Sequence, residues 1–428
     1  MLYKLLPHPQ GRVFVVVGST VLLLSGLAWF RITEKVPVPT FPTPPIPSPN
    51  AFDIYQQAAS LNRGTGGKLL TTEGAKYTLV EKERMLKTEH PALTTLRSGF
   101  NHGYQPPLSR RFDAMNFGHY AGFRELARTL TAEGKVFEEK GQHDSAAESY
   151  LDTIRFGNHI PHGAATIDLL VGIAVESIGQ KALWEVSDKL SSDAAKKAAL
   201  RLQAIEATRY PLEKTFQEAA YSDQTGLALL LNDASLAAMA ATISIEDQSS
   251  WKLKTDQLAV AGAIILNGKR QIFENTKNHS EQVIALAKQP FRPGTIDPPC
   301  GNDPINRALC FSGVSSVLMK SWNQTAQNNL LAATLALRAF QQETGAYPTD
   351  LHTLIRRGYL KTMPQDPFAP GKPVRYQRLS ANKYLLYSIG ADGKDDGGKP
   401  GKSTAGTREV HGIDRDFVGD FVAGVNSW

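Results

Sequence analysis

Residues 130–158, LTAEGKVFEEKGQHDSAAESYLDTIRFGN, predict two antiparallel helices joined by a turn at residues 141–144. Each half carries one small and one aromatic residue on what would be the inner face of its helix. A small residue lets two helices approach closely, and the aromatic ring fills the space beside it. The small residues are Gly134 and Ala146, and the aromatic residues are Phe137 and Tyr150.

This pattern resembles the tetratricopeptide repeat, in which such hairpins stack into an α-solenoid. One good copy is present, so a short solenoid and a plain αα-hairpin within a helical bundle both stay open. The surrounding residues 50–289 are rich in alanine and leucine and predict a helical domain.

Three further segments of this domain predict helices. Residues 193–210 and 281–289 show apolar spacing near 3.6 residues, and Ser191 is a start signal for the first. Residues 168–186 are apolar almost all round, which indicates a core helix. Asp168 and Glu176 argue against a second membrane span in this segment.

The N-terminus predicts a membrane anchor. Residues 13–30, VFVVVGSTVLLLSGLAWF, carry no charge and would span about 27 Å as a helix. A cleaved signal peptide is the alternative. Residues 1–12 would be a cytoplasmic tail, and the proline-rich residues 31–49 an extended stalk.

The chain has two cysteines, Cys300 and Cys310, in a predicted linker loop spanning residues 290–320. Their spacing suits a small disulfide loop, and two unrelated buried thiols are the alternative. A disulfide would place this part of the chain in an oxidising compartment. Together with the anchor and stalk, it predicts a single-pass protein of the bacterial inner membrane, with a periplasmic or extracellular ectodomain.

Charge and motifs exclude several functions. The net charge of +6 is spread along the chain, so we expect no nucleic-acid partner. Residues 63–70, RGTGGKLL, lack the first glycine and the Ser/Thr of a phosphate-binding loop. Two cysteines do not suffice for a structural zinc site.

Residues 321–428 predict a separate α+β domain. A helix at 323–343 ends at Gly345, and Asp350 begins a short helix at 350–357. Residues 374–379 and 383–389 read as two strands of an antiparallel hairpin.

This domain resembles the periplasmic domain of the type II secretion major pseudopilin over about 100 of the 428 residues. The matching pieces, in the family's order, are residues 344–349 (TGAYPT), 359–360 (YL), 363–368 (MPQDPF) and 387–393 (YSIGADG). The resemblance implies an antiparallel sheet and a calcium-binding loop. No pilin-type helix precedes the domain directly, so a filament subunit is not expected.

By motif position, Asp392 matches the family's loop aspartate, with Ser388 and Asp395 or Asp396 as neighbouring ligands. Asp414 and Asp416 would close the cage from the terminal segment. Calcium prefers six to eight oxygen ligands in flexible geometry, which such a loop can supply. A solvated acidic turn is the alternative. An EF-hand is excluded, because Ser403 stands where its closing glutamate would be.

These features predict a non-enzymatic, membrane-anchored envelope protein that binds protein partners, among them type II secretion or pilus-like machinery. The alternatives are an envelope hydrolase that uses Asp392 with Asp395 or Asp396, and a glycan-binding module in the helical domain. The sequence does not set the oligomeric state.

Overall fold

A computed structural model describes residues 9–111, 117–243, 250–310, 313–403 and 417–425. These ranges form a mainly helical protein with a small antiparallel sheet, as predicted. The helices are α1 (Pro9–Thr33), α2 (Ala51–Leu61), α3 (Thr65–Leu69), α4 (Leu79–Gly99), α5 (His119–Glu139), α6 (His143–His159), α7 (Thr166–Val186), α8 (Ser192–Glu206), α9 (Leu212–Asp233), α10 (Leu236–Ile243), α11 (Ser250–Asn267), α12 (Lys269–Ala287), α13 (Pro304–Leu309), α14 (Val314–Thr344) and α15 (His352–Arg356). The strands are β1 (Arg375–Ser380), β2 (Lys383–Ser388), β3 (Lys402–Ser403), β4 (Phe417–Val418) and β5 (Phe421–Val422).

The predicted helical hairpin is formed by α5 and α6. Gly134 faces Tyr150 so closely that an added Cβ would lie 2.2 Å from its ring. Tyr150 is fully buried, and Gly141 takes a φ of 72° in the turn between the helices. The hairpin prediction is therefore confirmed, whereas membership of the tetratricopeptide family stays a prediction.

Helices α7 and α8 follow the hairpin and match their predicted segments. Ser191 caps α8 by accepting a hydrogen bond from the Ala194 amide. Leu169, Val175 and Leu183 of α7 are at most 2% exposed. The core position predicted for this helix is confirmed.

Helix α14 lies at the centre of the molecule and joins the two predicted domains. One apolar cluster contains side chains from the helical body, from α14 and from the sheet. Its members include Tyr150, Leu183, Leu202, Leu330, Leu337, Leu386 and Phe421. The helical body and the C-terminal region therefore share one continuous core.

A buried polar cluster ties α14 to the body. Arg209 donates to Glu176 at 2.8 and 3.1 Å and to Glu206 at 2.6 and 2.7 Å. From α14, Gln324 donates to Glu176 at 3.1 Å, and Asn328 donates to Glu206 at 2.8 Å. Burial raises the pKa of Glu176 above its usual range, although Arg209 acts against it. Removing one partner from such a cluster leaves a buried charge uncompensated.

The C-terminal region follows the predicted order of elements. Gly345 ends α14 with a φ of 82°, and the Thr353 amide donates to Asp350 at 2.8 Å before α15. Strands β1 and β2 form an antiparallel hairpin, and β5 pairs with the free side of β2. Strands β3 and β4 form a second, two-stranded sheet that was not predicted.

Residues 31–33 of the proline-rich segment complete α1, and residues 34–49 are extended, but they lie along the body instead of standing clear of it as a stalk. Val36 is 2% exposed, and its backbone exchanges two hydrogen bonds with the Asn232 side chain, at 2.8 and 2.7 Å. Phe41 stacks on Tyr221 with ring centroids 4.0 Å apart. These contacts join segments almost 200 residues apart in sequence.

The segment predicted as a linker loop, residues 290–320, contains α13 and the start of α14. Cys300 and Cys310 are joined as a disulfide with Cα atoms 6.0 Å apart. The predicted pairing is therefore present in the structure.

Among the helices that the structure describes, none is long and apolar enough to cross a membrane. The span predicted at residues 13–30 lies in α1, and the side chains of residues 9–18 are outside the described part. The predicted transmembrane helix is therefore not supported.

Candidate functional site

The Asp-rich loop predicted to bind calcium follows β2. Asp392 accepts hydrogen bonds from the Lys394 and Gly419 amides, both at 3.0 Å. Gly419 lies in the terminal segment, so Asp392 already holds the loop to that segment through backbone groups. This carboxylate acts as a structural tie in the arrangement that the structure shows.

Asp395 is held on one side of the loop by side chains. It accepts from Arg375 at 3.0 Å and from the Tyr387 hydroxyl at 2.9 Å. Burial acts to raise the pKa of Asp395, but these hydrogen bonds and the arginine charge outweigh it and lower the pKa. A salt-bridged carboxylate of this kind is a poor candidate for an acid–base catalyst.

Ser388, at the start of the loop, is hydrogen-bonded to a buried aspartate that sequence reasoning missed. Its hydroxyl donates to Asp366 at 2.7 Å, and Asp366 also accepts from the Ile389 and Phe368 amides, both at 3.0 Å. Asp366 is 1% exposed, and burial raises its pKa. The role of Asp366 is to fix the start of the loop.

A second missed aspartate, Asp420, lies beneath the loop. It is fully buried and accepts from the Gly398 amide at 2.7 Å and from the Asp396 amide at 3.4 Å. Burial raises the pKa of Asp420, and the charges of Asp395 and Asp396 act in the same direction. The loop is therefore wrapped around this carboxylate through its backbone amides.

The fit of this loop to calcium can be judged from its donors. In the described part of the loop, no three carboxylates bring oxygens within 4.8 Å of one another. Asp414 and Asp416 lie outside the described residues. The described carboxylates of the loop therefore do not converge in threes on one point, and the calcium site stays a prediction.

The disulfide lies beside His279, whose Nε2 is 3.2 Å from Cys310 Sγ. His279, Cys300 and Cys310 could each direct a donor atom to one point. Zinc is bound by thiolates, however, and these sulfurs are bonded to each other. The group is therefore a disulfide packed on a histidine, and burial lowers the pKa of that histidine.

The helical body contains a cavity of about 450 Å³ that sequence reasoning did not predict. Its walls come from α2, from the loop at residues 106–109, from the start of α5, from the start of α7 and from α9. Most of the lining is apolar or aromatic; the residues of this kind are Phe52, Pro106, Pro107, Leu108, Phe117, Tyr120, Ala165, Ile167 and Ala219.

Two carboxyl groups in the cavity lack a cationic partner in the described part of the chain. Asp168, in the first turn of α7, is 7% exposed and hydrogen-bonded to Tyr120. Asp223, from α9, makes no hydrogen bond or ion pair with another described residue and also lines a small adjoining cavity. Burial raises the pKa of Asp168 to about 6 and that of Asp223 to about 7.

The third acid in the cavity wall, Glu218, is neutralised. Arg110 donates to it through two nitrogens at 2.8 and 2.9 Å. The guanidinium of Arg110 also lies 5.0 Å from the centre of the Tyr221 ring and 5.8 Å from that of Phe41. The packed proline-rich segment therefore holds this ion pair in place.

Two further polar atoms at the cavity are buried without a hydrogen-bond partner in the described protein. These are Thr166 Oγ1 and His119 Nε2. Burial lowers the pKa of His119, so the ring is neutral and can donate or accept one more hydrogen bond. Buried polar atoms are nearly always paired, so these atoms are ready to bind a group in the cavity.

No protein-family model, curated protein or solved structure matches this chain. The resemblances to the tetratricopeptide repeat and to the major pseudopilin rest on the sequence motifs alone.

Sequence signals for the cavity were present but weak. Asp168 stands out as a charged residue in an otherwise apolar helical segment, which in a core helix calls for a partner. Asp223 lies on a helix with alternating polar and apolar residues and gives no such signal. Their meeting in one cavity depends on the packing of α7 against α9.

Proposed function

We propose that the protein is a non-enzymatic binding protein of the cell envelope, whose helical body takes up a small, largely apolar ligand. The cavity between α2, α5, α7 and α9 carries this proposal. Its volume of about 450 Å³ is within the range of roughly 300–1,000 Å³ usual for small-molecule sites.

The composition of the cavity supports binding. Ligand sites combine apolar walls with a few directed polar groups, and here the polar groups include Asp168, Asp223, Thr166 and His119. Folding stability alone favours an interior without cavities, in which every polar atom has a hydrogen-bond partner. A cavity lacks van der Waals contacts, and an unpartnered polar atom lacks hydrogen bonds. A ligand would restore both.

The cysteines support the proposed compartment. A disulfide between Cys300 and Cys310 is typical of proteins in an oxidising environment such as the periplasm. The pseudopilin-like region, built on the same core as the body, is then available to protein partners in the envelope, and its resemblance points to secretion machinery by analogy.

A hydrolase is the second candidate, and it uses the cavity rather than the Asp-rich loop. Two carboxyl groups with raised pKa values in one cavity can act as general acid and general base, and burial raises the pKa of both Asp168 and Asp223. Asp395, which the sequence offered for this role, is held by Arg375 and Tyr387.

The test is calorimetric titration of the full chain with three probes that share an octyl chain, namely octyltrimethylammonium, octyl glucoside and octanoate. At least one probe should bind with 1:1 stoichiometry. Ala219→Phe places a ring in the cavity and should abolish that binding, whereas Ala121→Phe, on an exposed position of α5, should not. Binding that survives Ala219→Phe, or no binding at all, would refute the proposal.

A further inference from the structure

We infer that the cavity selects a monocationic ligand, an alkylammonium whose charged nitrogen lies between the aromatic wall and the two aspartates that lack a cationic partner in the described chain. This inference rests on the proposed function and names the chemical class of the ligand. It follows from the charges that face the cavity, from the rings that surround them and from the apolar remainder of the wall.

The charge balance of the cavity is negative. None of the described lining residues is lysine or arginine. Arg110, which lies outside the lining, is already bound to Glu218 through two hydrogen bonds. Asp168, which is buried, and Asp223, which is half-buried, therefore have no protein cation opposite them in the described chain. A carboxylate shielded from water is stable only when it is paired or protonated. A ligand cation is the partner that this site lacks.

The aromatic wall favours the same charge. Phe117 and Tyr120 stack with ring centroids 5.9 Å apart, and Phe52 meets His119 edge-on at 5.2 Å. Ring faces attract cations, and groups of aromatic rings are the usual means of binding alkylated ammonium ions, which are too weakly hydrated to favour water strongly. A carboxylate or phosphate in this cavity would face like charges and the negative faces of the rings.

Each element around the cavity contributes to the pH response. Asp168 faces it from α7, Asp223 and the neutralised Glu218 from α9, and His119 and Tyr120 from α5. A cation competes with protons for the two free carboxylates. The affinity of the cation should therefore fall as the pH is lowered through the raised pKa values of these carboxylates. The affinity of a neutral ligand should not change with pH.

The experiment uses the same three octyl probes on the full chain at about pH 8 and about pH 5. At pH 8, octyltrimethylammonium should bind at least about tenfold more tightly than octyl glucoside, and octanoate least tightly, since about 1.4 kcal/mol of charge pairing gives tenfold. At pH 5 the preference for the cation should shrink by about tenfold.

Two isosteric variants complete the test. Asp168→Asn and Asp223→Asn should each lower the affinity for the cation about tenfold more than they lower the affinity for octyl glucoside. Equal or tighter binding of octyl glucoside or octanoate, abolished by Ala219→Phe, would overturn the cation inference and leave the binding function intact. Absence of any probe binding that responds to Ala219→Phe would overturn both.

Discussion

Asp168→Asn should stabilise the ligand-free protein at neutral and alkaline pH, because the native carboxylate is buried without a cation. Burial raises the pKa of Asp168 from its ordinary 3.8 to about 6. At about 1.36 kcal/mol per pKa unit, that difference corresponds to an upper limit of about 3 kcal/mol. Asparagine keeps one acceptor oxygen for Tyr120 but lacks the second carboxylate oxygen. The hydrogen bonding lost with that oxygen reduces the expected stabilisation by about 1 kcal/mol. The net gain should be about 1–2 kcal/mol.

The pH dependence gives the sign of the effect. The pKa of Asp168 is higher in the folded state than in the unfolded state. At any pH above the unfolded-state pKa, ionisation of this carboxyl therefore destabilises the folded protein. The native protein regains this stability as the pH falls through about 6, where the folded state takes up the proton. The advantage of Asp168→Asn should therefore be full near pH 8 and nearly absent near pH 4.

Urea unfolding of both proteins at these two pH values measures the difference. Asp193→Asn is the matched control, since Asp193 is exposed and pairs with Lys197 on the surface of α8. Its change should be under about 1 kcal/mol and in the destabilising direction. A destabilised Asp168→Asn at pH 8, or a gain of equal size at both pH values, would refute the burial argument.

Four further outcomes are expected. Arg209→Met should lower the free energy of unfolding by about 3–5 kcal/mol at pH 7, since it leaves two buried carboxyls without their cation; a loss below about 1 kcal/mol in urea unfolding would contradict this. Gly134→Ala should lower the free energy of unfolding by about 1–3 kcal/mol, because the added Cβ would overlap the buried ring of Tyr150. Gly262→Ala, where an added Cβ has nothing within 4 Å, should leave the melting temperature unchanged or raise it. Cys300→Ser should lower the free energy of unfolding by about 2–3 kcal/mol and make the stability insensitive to dithiothreitol. Two alkylatable thiols in the unreduced native protein would exclude the disulfide. Calcium at about 100 times its dissociation constant should raise the free energy of unfolding of the full chain by about 2.7 kcal/mol. The increase should be much smaller in Asp392→Ala. Equal melting temperatures with calcium and with chelator would contradict the calcium prediction and leave the loop as a structural turn.

The sequence predicted those elements whose boundaries are determined by residues close to one another along the chain. The α5–α6 hairpin, the Ser191 cap of α8 and the end of α14 at Gly345 depend on residues within a few positions of one another. The β1–β2 hairpin is likewise set by two short strands and the turn between them. These predictions agree with the structure to within a few residues.

The start of α14 shows where local signals end. Sequence patterns place its beginning near residue 323, yet it begins at Val314. The reason lies upstream, where Asp297 accepts hydrogen bonds from the Gly313 and Ser315 amides at 2.8 and 2.6 Å. A cap supplied from so far along the chain leaves no pattern at the helix itself.

The candidate site shows the same limit more strongly. The Asp-rich loop is conspicuous in the sequence, but in the structure its best-placed carboxylates are occupied by backbone amides, Arg375 and Tyr387. The cavity is inconspicuous, because its walls come from four separate helices and a loop that meet only after folding. The density of aspartates therefore directed the sequence-based site prediction to the loop, whereas Asp168, one of several charged residues of α7, gave only a weak sign of the cavity.

The most direct test of the binding function is the anomalous diffraction of a bromine-labelled ligand, 8-bromooctyl-trimethylammonium, bound to crystals of the full chain. We expect one bromine peak inside the cavity, with the ammonium nitrogen within about 6 Å of the Asp168 or Asp223 carboxylate. Bromine peaks confined to the outer surface, with the space between α5, α7 and α9 empty, would contradict it.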